Sequence, residues 1–241
     1  MNQLHYIMSD QRFAVIGLGQ FGSAIAKNLS QRGAEVLAID SSIEKVEGIK
    51  DEVSHAVAID ATDKKALLSQ NIQDVDAVVV AIGENFQGLL LCTFVLIELK
   101  VKRIITRTMG NDQRRILEKM GVTEILSPED EVGGNVAEML INPNVVMCMQ
   151  LPDDYEIVEV KAPPAIFGRS LEDIAIREKY KLNLVTILRN NEHEHEHPTE
   201  NDTKDYHIIG VPDSSSIIKE RDIIVIFGLT KNIERFLEIN K

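Results

Sequence analysis

Three glycines near the start of the chain have the spacing of a phosphate-binding turn. Gly17, Gly19 and Gly22 form a G-x-G-x-x-G pattern between an apolar run and an amphipathic run of residues. Backbone without side chains can approach a diphosphate closely, and the N–H groups that open the following helix point toward its negative charge. Because turns need glycine for their own reasons, the pattern alone identifies no ligand.

A carboxylate follows at the distance that a dinucleotide site requires. Asp40 comes eighteen residues after Gly22 and ends the next apolar run. In folds that alternate strands and helices, an acid at this place accepts hydrogen bonds from ribose hydroxyls. Together, the glycines, the strand, the helix and the acid predict a nucleotide-binding unit. Ser41 and Ser42 follow Asp40 where an NADP site would need arginine, so the sequence argues against a 2′-phosphate.

The elements that position these residues repeat one pattern six times. Short β-branched runs are each followed by a helical pattern of ten to sixteen residues, which is typical of βαβ units. The predicted strands are Phe13–Gly17, Glu35–Ile39, His55–Ile59, Ala77–Ile82, Arg103–Thr106 and Thr123–Leu126. The predicted fold class is therefore α/β, a Rossmann-like doubly wound parallel sheet of six strands followed by a small α+β domain.

The 241 residues are enough for two domains with separate cores. We expect a flexible lead-in or partner-contacting arm at 1–10, a Rossmann-like nucleotide-binding domain at 11–142, a Met-rich crossover or linker at 143–152, and a C-terminal α+β ligand-binding and dimerisation domain at 153–241. Within the last domain, residues 190–200 form a His/Glu-rich loop. Its alternating histidines permit either a divalent metal site or a solvated loop, and we assign no metal there.

The fourth predicted helix is apolar on nearly every face. Residues 89–97 read LLLCTFVLI, so this helix must be covered all round. It either lies deep in the domain or meets another subunit, and the second possibility is favoured because one face of the sheet already covers it.

Composition restricts the compartment and the partners. With 44% hydrophobic residues, no apolar stretch of eighteen and no signal peptide, the sequence predicts a cytoplasmic protein without direct lipid insertion. The net charge of −12 argues against nucleic acid as a partner. Cys92 and Cys148 lie in apolar runs predicted to be helical, and both are interpreted as core residues.

An ordered series of motifs identifies a family resemblance. GLGQFGSAIAKNLSQRGAEVLAID, HAVAIDATD, DAVVVAIGENFQGLLLCTFVLIEL and IITRTMGNDQRRILEKMGVTEILSPEDEVG together resemble the RCK domain of Ktr and Trk potassium-uptake regulatory subunits, most closely the Ktr gating subunit. The resemblance implies a cytoplasmic homo-oligomer, a dimer assembled into an octameric ring, that gates a membrane potassium-transporter subunit. It also implies ATP or ADP, or NAD(H), in the Rossmann-like domain, a Mg or other cation at the phosphate, and cyclic di-AMP at the C-terminal domain.

The resemblance assigns ten residues to the nucleotide site: Gly17, Gly19, Gln20, Phe21, Gly22, Asp40, Asp60, Ala61, Arg107 and Glu129. Asp60 and Ala61 would border the adenine, Arg107 would reach the phosphate, and Glu129 would lie near the γ-phosphate and its metal cation. Gln20 stands where ATP-dependent members often have arginine, which leaves the choice between ATP, ADP and NAD open. From the residues alone, the structural roles are favoured for two of these residues: Asp60 caps a turn, and Glu129 complements a helix dipole. Arg107 equally forms a surface ion pair.

Three functions are compatible with these patterns. The first is a nucleotide-sensing regulatory subunit that works as a binding module and not as an enzyme. The second is an NAD-dependent oxidoreductase, against which the sequence offers no Ser-Tyr-Lys, His-carboxylate or Cys-His set at a strand end. The third is a stand-alone nucleotide or redox sensor.

Overall fold

The computed structural model describes residues 11–190 and 206–241, and the chain divides into two compact units. The first unit ends at Asp130 and the second begins at Glu131. The helix Pro128–Ile141 crosses this division. The sequence places the end of the first domain at 142 because its apolar pattern follows that helix to the proline that stops it. The His/Glu-rich run from 191 onward lies outside the described residues.

The first unit contains the predicted six-stranded parallel sheet. Its strands are β1 (Arg12–Ile16), β2 (Glu35–Asp40), β3 (His55–Ala58), β4 (Ala77–Val80), β5 (Ile104–Arg107) and β6 (Glu124–Leu126). They lie in the order β3-β2-β1-β4-β5-β6, and every pair is parallel. The predicted fold class is confirmed.

Helices follow the strands of this sheet. They are α1 (Gln20–Gln31), α2 (Ile43–Glu47), α3 (Lys64–Ser69), α4 (Phe86–Glu98), α5 (Asn111–Lys119) and α6 (Pro128–Ile141). Within the described ranges, every helix is too short or too polar to span a bilayer.

Alternate residues of the central strands enter two different cores, which explains why these strands are apolar throughout. On β1, Ile16 belongs to the core that includes Leu89 of α4, whereas its neighbour Val15 belongs to the core that includes Ala26 of α1. Successive side chains of a strand point to opposite faces, so helices cover both faces of the sheet. Because all six strands are parallel, their carboxyl ends meet at one edge of the sheet.

The outer side of α4 is exposed, so the alternative that this helix lies deep in the domain is wrong. Leu89 and Leu96 are buried, but the exposed fractions are 46% for Leu91, 52% for Phe94 and 36% for Ile97. The sheet therefore covers one side of the helix only, and the other side presents apolar side chains at its surface.

The second unit contains an antiparallel sheet. Its elements are β7 (Val145–Gln150), β8 (Tyr155–Lys161), α7 (Leu171–Ile174), α8 (Ile176–Tyr180), β9 (Asn183–Asn190), β10 (Tyr206–Ile208), β11 (Ile223–Leu229) and α9 (Thr230–Ile239), with sheet order β10-β9-β11-β8-β7. The segment expected to be a crossover or linker thus supplies an edge strand, because β7 pairs with β8. Cys148 accordingly lies on a strand, and its predicted helical setting is wrong.

Both cysteines are free thiols buried in a core, as predicted, and burial shapes their acidity. It raises the pKa of Cys92 to about 12, and it raises the pKa of Cys148 to about 11, with the help of a hydrogen bond to Glu156. The ordinary value is 9.0. A folded pKa above the unfolded one stabilises the protein fully below pH 9, and that contribution is lost as pH rises through the folded pKa.

Alkali should therefore destabilise the protein partly through these two thiols. Between pH 9 and 10, each thiol should reduce the free energy of unfolding by up to about 1.4 kcal/mol per pH unit. Urea unfolding at pH 8, 9 and 10 measures this slope for the natural chain and for a C92A/C148A variant. A variant with an equally steep slope would contradict the assignment, because lysines and tyrosines titrate in both proteins.

Candidate functional site

The residues predicted to bind a nucleotide gather at the carboxyl edge of the parallel sheet. Strand order reverses between β1 and β4, and doubly wound sheets bind ligands in the crevice at such a switch point. Gly17 follows β1, Asp60 follows β3 and Glu129 follows β6, while Asp40 and Arg107 end β2 and β5. The topology therefore brings all these positions to one edge.

The space available for a side chain differs among the three glycines of the turn. Gly17 has φ +95°, and a Cβ there would lie 2.9 Å from the backbone nitrogen of Ile82. A Cβ on Gly22 would lie only 1.9 Å from the carbonyl oxygen of Gly17. A Cβ on Gly19 would meet nothing within 4 Å. The first glycine thus lets the turn pass close to the backbone that follows β4, and the third lets α1 pack against the turn. The second leaves open space at the surface of the turn.

No side chain caps the backbone N–H groups at the start of α1. Gly19 is the N-cap residue, and no side chain caps this end of the helix. Uncapped N–H groups and the positive end of the helix dipole favour an anion. Gln20 is the first helical residue and is exposed, so it adds no charge beside this end.

Asp40 is tied directly to the glycine-rich turn. Its side chain is 8% exposed, and its Oδ2 accepts a hydrogen bond of 2.7 Å from the backbone N–H of Leu18. Its Oδ1 accepts a bond of 2.9 Å from the N–H of Ser42, and the Nζ of Lys45 lies 3.6 Å from Oδ2. A carboxylate has about four acceptor positions. Asp40 can therefore hold the turn and still accept hydrogen bonds from a ligand.

Asp60 forms a local turn at the end of β3. Its Oδ1 accepts hydrogen bonds from the backbone N–H of Thr62 at 2.8 Å and from the Thr62 hydroxyl at 2.7 Å. The bond from the backbone N–H, followed by that from the hydroxyl, lowers the pKa of Asp60. Ala61 beside it is 8% exposed and belongs to the core that contains Leu67. The turn role anticipated for Asp60 is thus present, with the carboxylate exposed at the site edge.

Arg107 lies within a cluster of three other groups. Its guanidinium carbon is 5.3 Å from the centre of the Phe21 ring, and a Cβ on Gly83 would lie 3.2 Å from its Nη1. Its Nη2 forms an ion pair with Oε1 of Glu129. The side chain of Arg107 is 18% exposed, whereas that of Glu129 is 51% exposed. The guanidinium of Arg107 thus lies between the Phe21 ring and Gly83, and Glu129 contacts it from the solvent-exposed side.

The pKa of Glu129 is lowered in this cluster. The hydrogen bond from its own backbone N–H is the largest cause, and the neighbouring Arg107 adds to it. Glu129 is therefore an ionised carboxylate at neutral pH. In the part of the chain that the structure describes, no group of three or more His, Cys, Asp or Glu side chains is arranged to hold a metal ion. A cation at Glu129 would need most of its ligands from elsewhere.

The structure joins the predicted residues into two contact groups and adds residues that the sequence missed. One group contains the glycine-rich turn and Asp40, linked through Leu18; the other contains Phe21, Arg107 and Glu129. Asp60 contacts neither of them in its described hydrogen bonds. Gly83 was missed, although it directly follows the predicted strand Ala77–Ile82, where a glycine is a signal of close backbone approach.

Comparison with known proteins gives consistent relatives. The TrkA-N domain family model matches residues 13–128. The chain is 34% identical over 226 residues to Ktr system potassium uptake protein C of Bacillus subtilis (strain 168), which covers 94% of this chain and 96% of that protein. It is 35% identical over 229 residues to protein A of the same system and organism, covering 95% of this chain and 96% of that one.

A solved structure, the GsuK channel bound to NAD, has a similar fold. The TM-score is 0.64 at 12% sequence identity, and the alignment covers 97% of this chain and 40% of the channel chain. This chain therefore spans less than half of that channel protein, and the likeness is one of fold.

Proposed function

This chain belongs to the family of the Ktr system potassium uptake proteins and contains a TrkA-N domain, and on that basis we propose that it is a nucleotide-sensing regulatory subunit that gates a membrane potassium transporter. The observation that carries the proposal is the glycine-rich turn at the switch point of the sheet, with its Leu18 N–H bound by Asp40. That arrangement holds open backbone beside a carboxylate acceptor, as a bound nucleotide needs.

The proposed ligand is an adenine nucleotide, ATP or ADP, with NAD(H) as the other possibility. Gly17, Gly19 and Gly22 receive the phosphates, and Asp40 accepts hydrogen bonds from the ribose. Asp60 and Ala61 border the adenine. Gln20 and Phe21 line the phosphate side. This division of roles is supported by the open surface at Gly19 and by the remaining acceptor capacity of Asp40.

The proposed phosphate end of the site is formed by Arg107 and Glu129. Arg107 supplies the positive charge for the outer phosphate, and Glu129 stands beside it as the residue that would contact a Mg or other cation carried by the nucleotide. Gln20 adds no charge, so Arg107 is the cationic side chain on which the distinction between ATP and ADP depends.

The protein is proposed to act through assembly, as a binding module and not as an enzyme. A ligand shifts a conformational equilibrium only by binding one state more tightly than another. The exposed apolar side chains of α4 support a contact with a second copy of this chain. We place the resulting homo-oligomer, a dimer and then an octameric ring, in the cytoplasm against the transporter subunit.

The second unit is proposed to bind cyclic di-AMP, as the family resemblance suggests. The region concerned contains Ile174, which is 2% exposed, and Arg177, whose Nε donates a hydrogen bond of 2.9 Å to Oδ1 of Asn183. A guanidinium fixed in this way suits a phosphate diester.

Thermal-shift titration with ATP, ADP, NADH and cyclic di-AMP, followed by sizing of the liganded protein, tests the proposed function. A nucleotide-dependent rise in Tm together with a large assembly is expected. A monomer whose Tm responds to none of the four ligands would overturn the proposal.

Asp40→Ala should weaken nucleotide binding by about 10- to 100-fold while the parallel sheet stays folded. The substitution removes a charged acceptor both from the ribose and from the turn, and such hydrogen bonds contribute about 1.5–3 kcal/mol each. Isothermal titration calorimetry measures the affinity, and circular dichroism checks the fold. Asp63→Ala is the matched control, since Asp63 caps α3 through the Lys65 N–H and lies outside the proposed site. Equal affinities of the Asp40→Ala protein and the natural chain would mean that the site is misplaced.

A further inference from the structure

The arginine that the proposed function needs for phosphate already binds a carboxylate of its own chain. From this geometry we infer that Glu129 is an internal competitor of the nucleotide: its carboxylate occupies Arg107, and the outer phosphate must displace it. This inference rests on the proposed function and describes how the same site is regulated. The competition makes the release of Glu129 a consequence of nucleotide binding.

Arg107 has little freedom to serve two partners at once. One side of its guanidinium faces the Phe21 ring, at 5.3 Å from the ring centre. Gly83 lies so close that any Cβ there would be 3.2 Å from Nη1. A guanidinium confined in this way presents its donors in a narrow range of directions. Glu129 approaches Nη2 from the open side, which is also the side from which a ligand must come.

The two competing groups use the same chemistry. Carboxylate and phosphate oxygens both accept hydrogen bonds from the guanidinium fork, preferably two at a time. Glu129 uses the fork incompletely, because its ion pair runs through Nη2 while the buried Nε of Arg107 has no hydrogen-bond partner among the described residues. A phosphate group has more acceptor oxygens and more charge than a carboxylate, so it can displace Glu129 once the glycine-rich turn holds the rest of the nucleotide.

The position of Glu129 gives the displacement a structural consequence. It lies in the first turn of α6, the helix that crosses from the first compact unit into the second. While the ion pair between Arg107 and Glu129 is intact, it connects the first turn of α6 to the end of β5. When the phosphate of a metal-free nucleotide binds Arg107, this attachment is lost. Nucleotide binding is thereby converted into a change at the start of α6.

Calorimetric titration of ATP and ADP in EDTA tests the competition, since without divalent ions a cation role of Glu129 cannot contribute. We expect E129Q to bind ATP about three- to five-fold more tightly than the natural chain, the effect of losing one partly buried ion pair. E131Q is the matched control: it removes the same charge from an exposed position on the same helix and should change affinity less than about two-fold. In an R107Q background, adding E129Q should produce no gain.

Hydrogen exchange gives a second readout. ATP should speed exchange of the second-turn amides of α6, whose N–H groups bond to the carbonyls of the first turn, in the natural chain, and E129Q should show the faster exchange without ATP. If the natural chain binds ATP and E129Q binds it no more tightly than E131Q, the competition is wrong while the nucleotide site stands. A gain that persists in the R107Q background would also overturn the inference. If neither the natural chain nor E129Q binds ATP or ADP, the proposed function fails and this inference fails with it.

Discussion

Replacing Gly22 with alanine should lower the free energy of unfolding of the first unit by about 2 kcal/mol or more and abolish tight nucleotide binding. The added Cβ would lie 1.9 Å from the Gly17 carbonyl oxygen and 3.0 Å from the Cβ of Ala81. Neither neighbour can yield easily, because one is backbone and the other is buried beside β4. Helix α1 would have to move away from the turn, and its N–H groups would leave the position in which they face the phosphate.

Gly19→Ala is the control that separates stability from binding. Gly19 has φ −72° and ψ −171°, a conformation open to any residue, and a Cβ there would meet nothing within 4 Å. The free energy of unfolding of the Gly19→Ala protein should therefore stay within about 0.5 kcal/mol of the natural value. Its nucleotide affinity should still fall, because the methyl group occupies space that a diphosphate needs.

Urea unfolding measures the stability of both variants, and calorimetric titration measures their nucleotide affinity. If the Gly22→Ala protein is as stable as the natural chain, the close packing of α1 on the turn is wrong. If the Gly19→Ala protein binds nucleotide normally, the phosphates do not lie at this turn. The two outcomes are independent, so one variant tests the fold and the other tests the site.

The strands of the first unit and the place of Asp40 are predictable from sequence because they depend on local patterns. The central strands β1, β2 and β4 are short apolar runs that are largely buried, the outer strands are less buried, and a helix begins a few residues after each strand. The distance from Gly22 to Asp40 is set by the length of α1 and β2, which the periodicity predicts well. Sequence information is sufficient wherever neighbouring residues determine the structure.

The cluster around Arg107 depends on strand order, which no local pattern contains. Phe21 and Arg107 meet because β1 lies beside β4 and β4 beside β5. The sequence identified Phe21, Arg107 and Glu129 separately, and it anticipated an ion pair for Arg107 only in general terms. It could not show that Glu129 is the partner, and the regulatory inference depends on that contact.

Strand β7 was missed for a definable reason. Its register shifts between Val145 and Met147, so the buried residues Val145 and Cys148 are three positions apart. That spacing resembles one turn of a helix and hides the two-residue period of a strand. As the outer strand of its sheet, β7 also exposes Met147 and Met149, which gave the segment the appearance of an apolar connecting arm.

Phe94→Lys should weaken self-association of the protein by about 100-fold or more. Phe94 is 52% exposed in the middle of the outer face of α4, between Leu91 and Ile97. Burying a large apolar side chain contributes about 1.5–3 kcal/mol, and a symmetric dimer buries two copies of it. A lysine at the centre of such a contact removes this term from both subunits and places two like charges close together.

Sedimentation measurements over a range of protein concentrations test this expectation. The control is Leu68→Lys, which makes the same type of change on a different helix, α3, where Leu68 is 40% exposed. The Phe94→Lys protein should dissociate at concentrations where the natural chain and the Leu68→Lys protein remain associated. At concentrations low enough to dissociate all three proteins, its Tm should differ little from theirs, because Phe94 lies outside the core. If both lysine variants associate as the natural chain does, α4 is not the contact. The next surface to test is then the exposed apolar side of α6: Val132, Val136, Met139, Leu140 and Ile141.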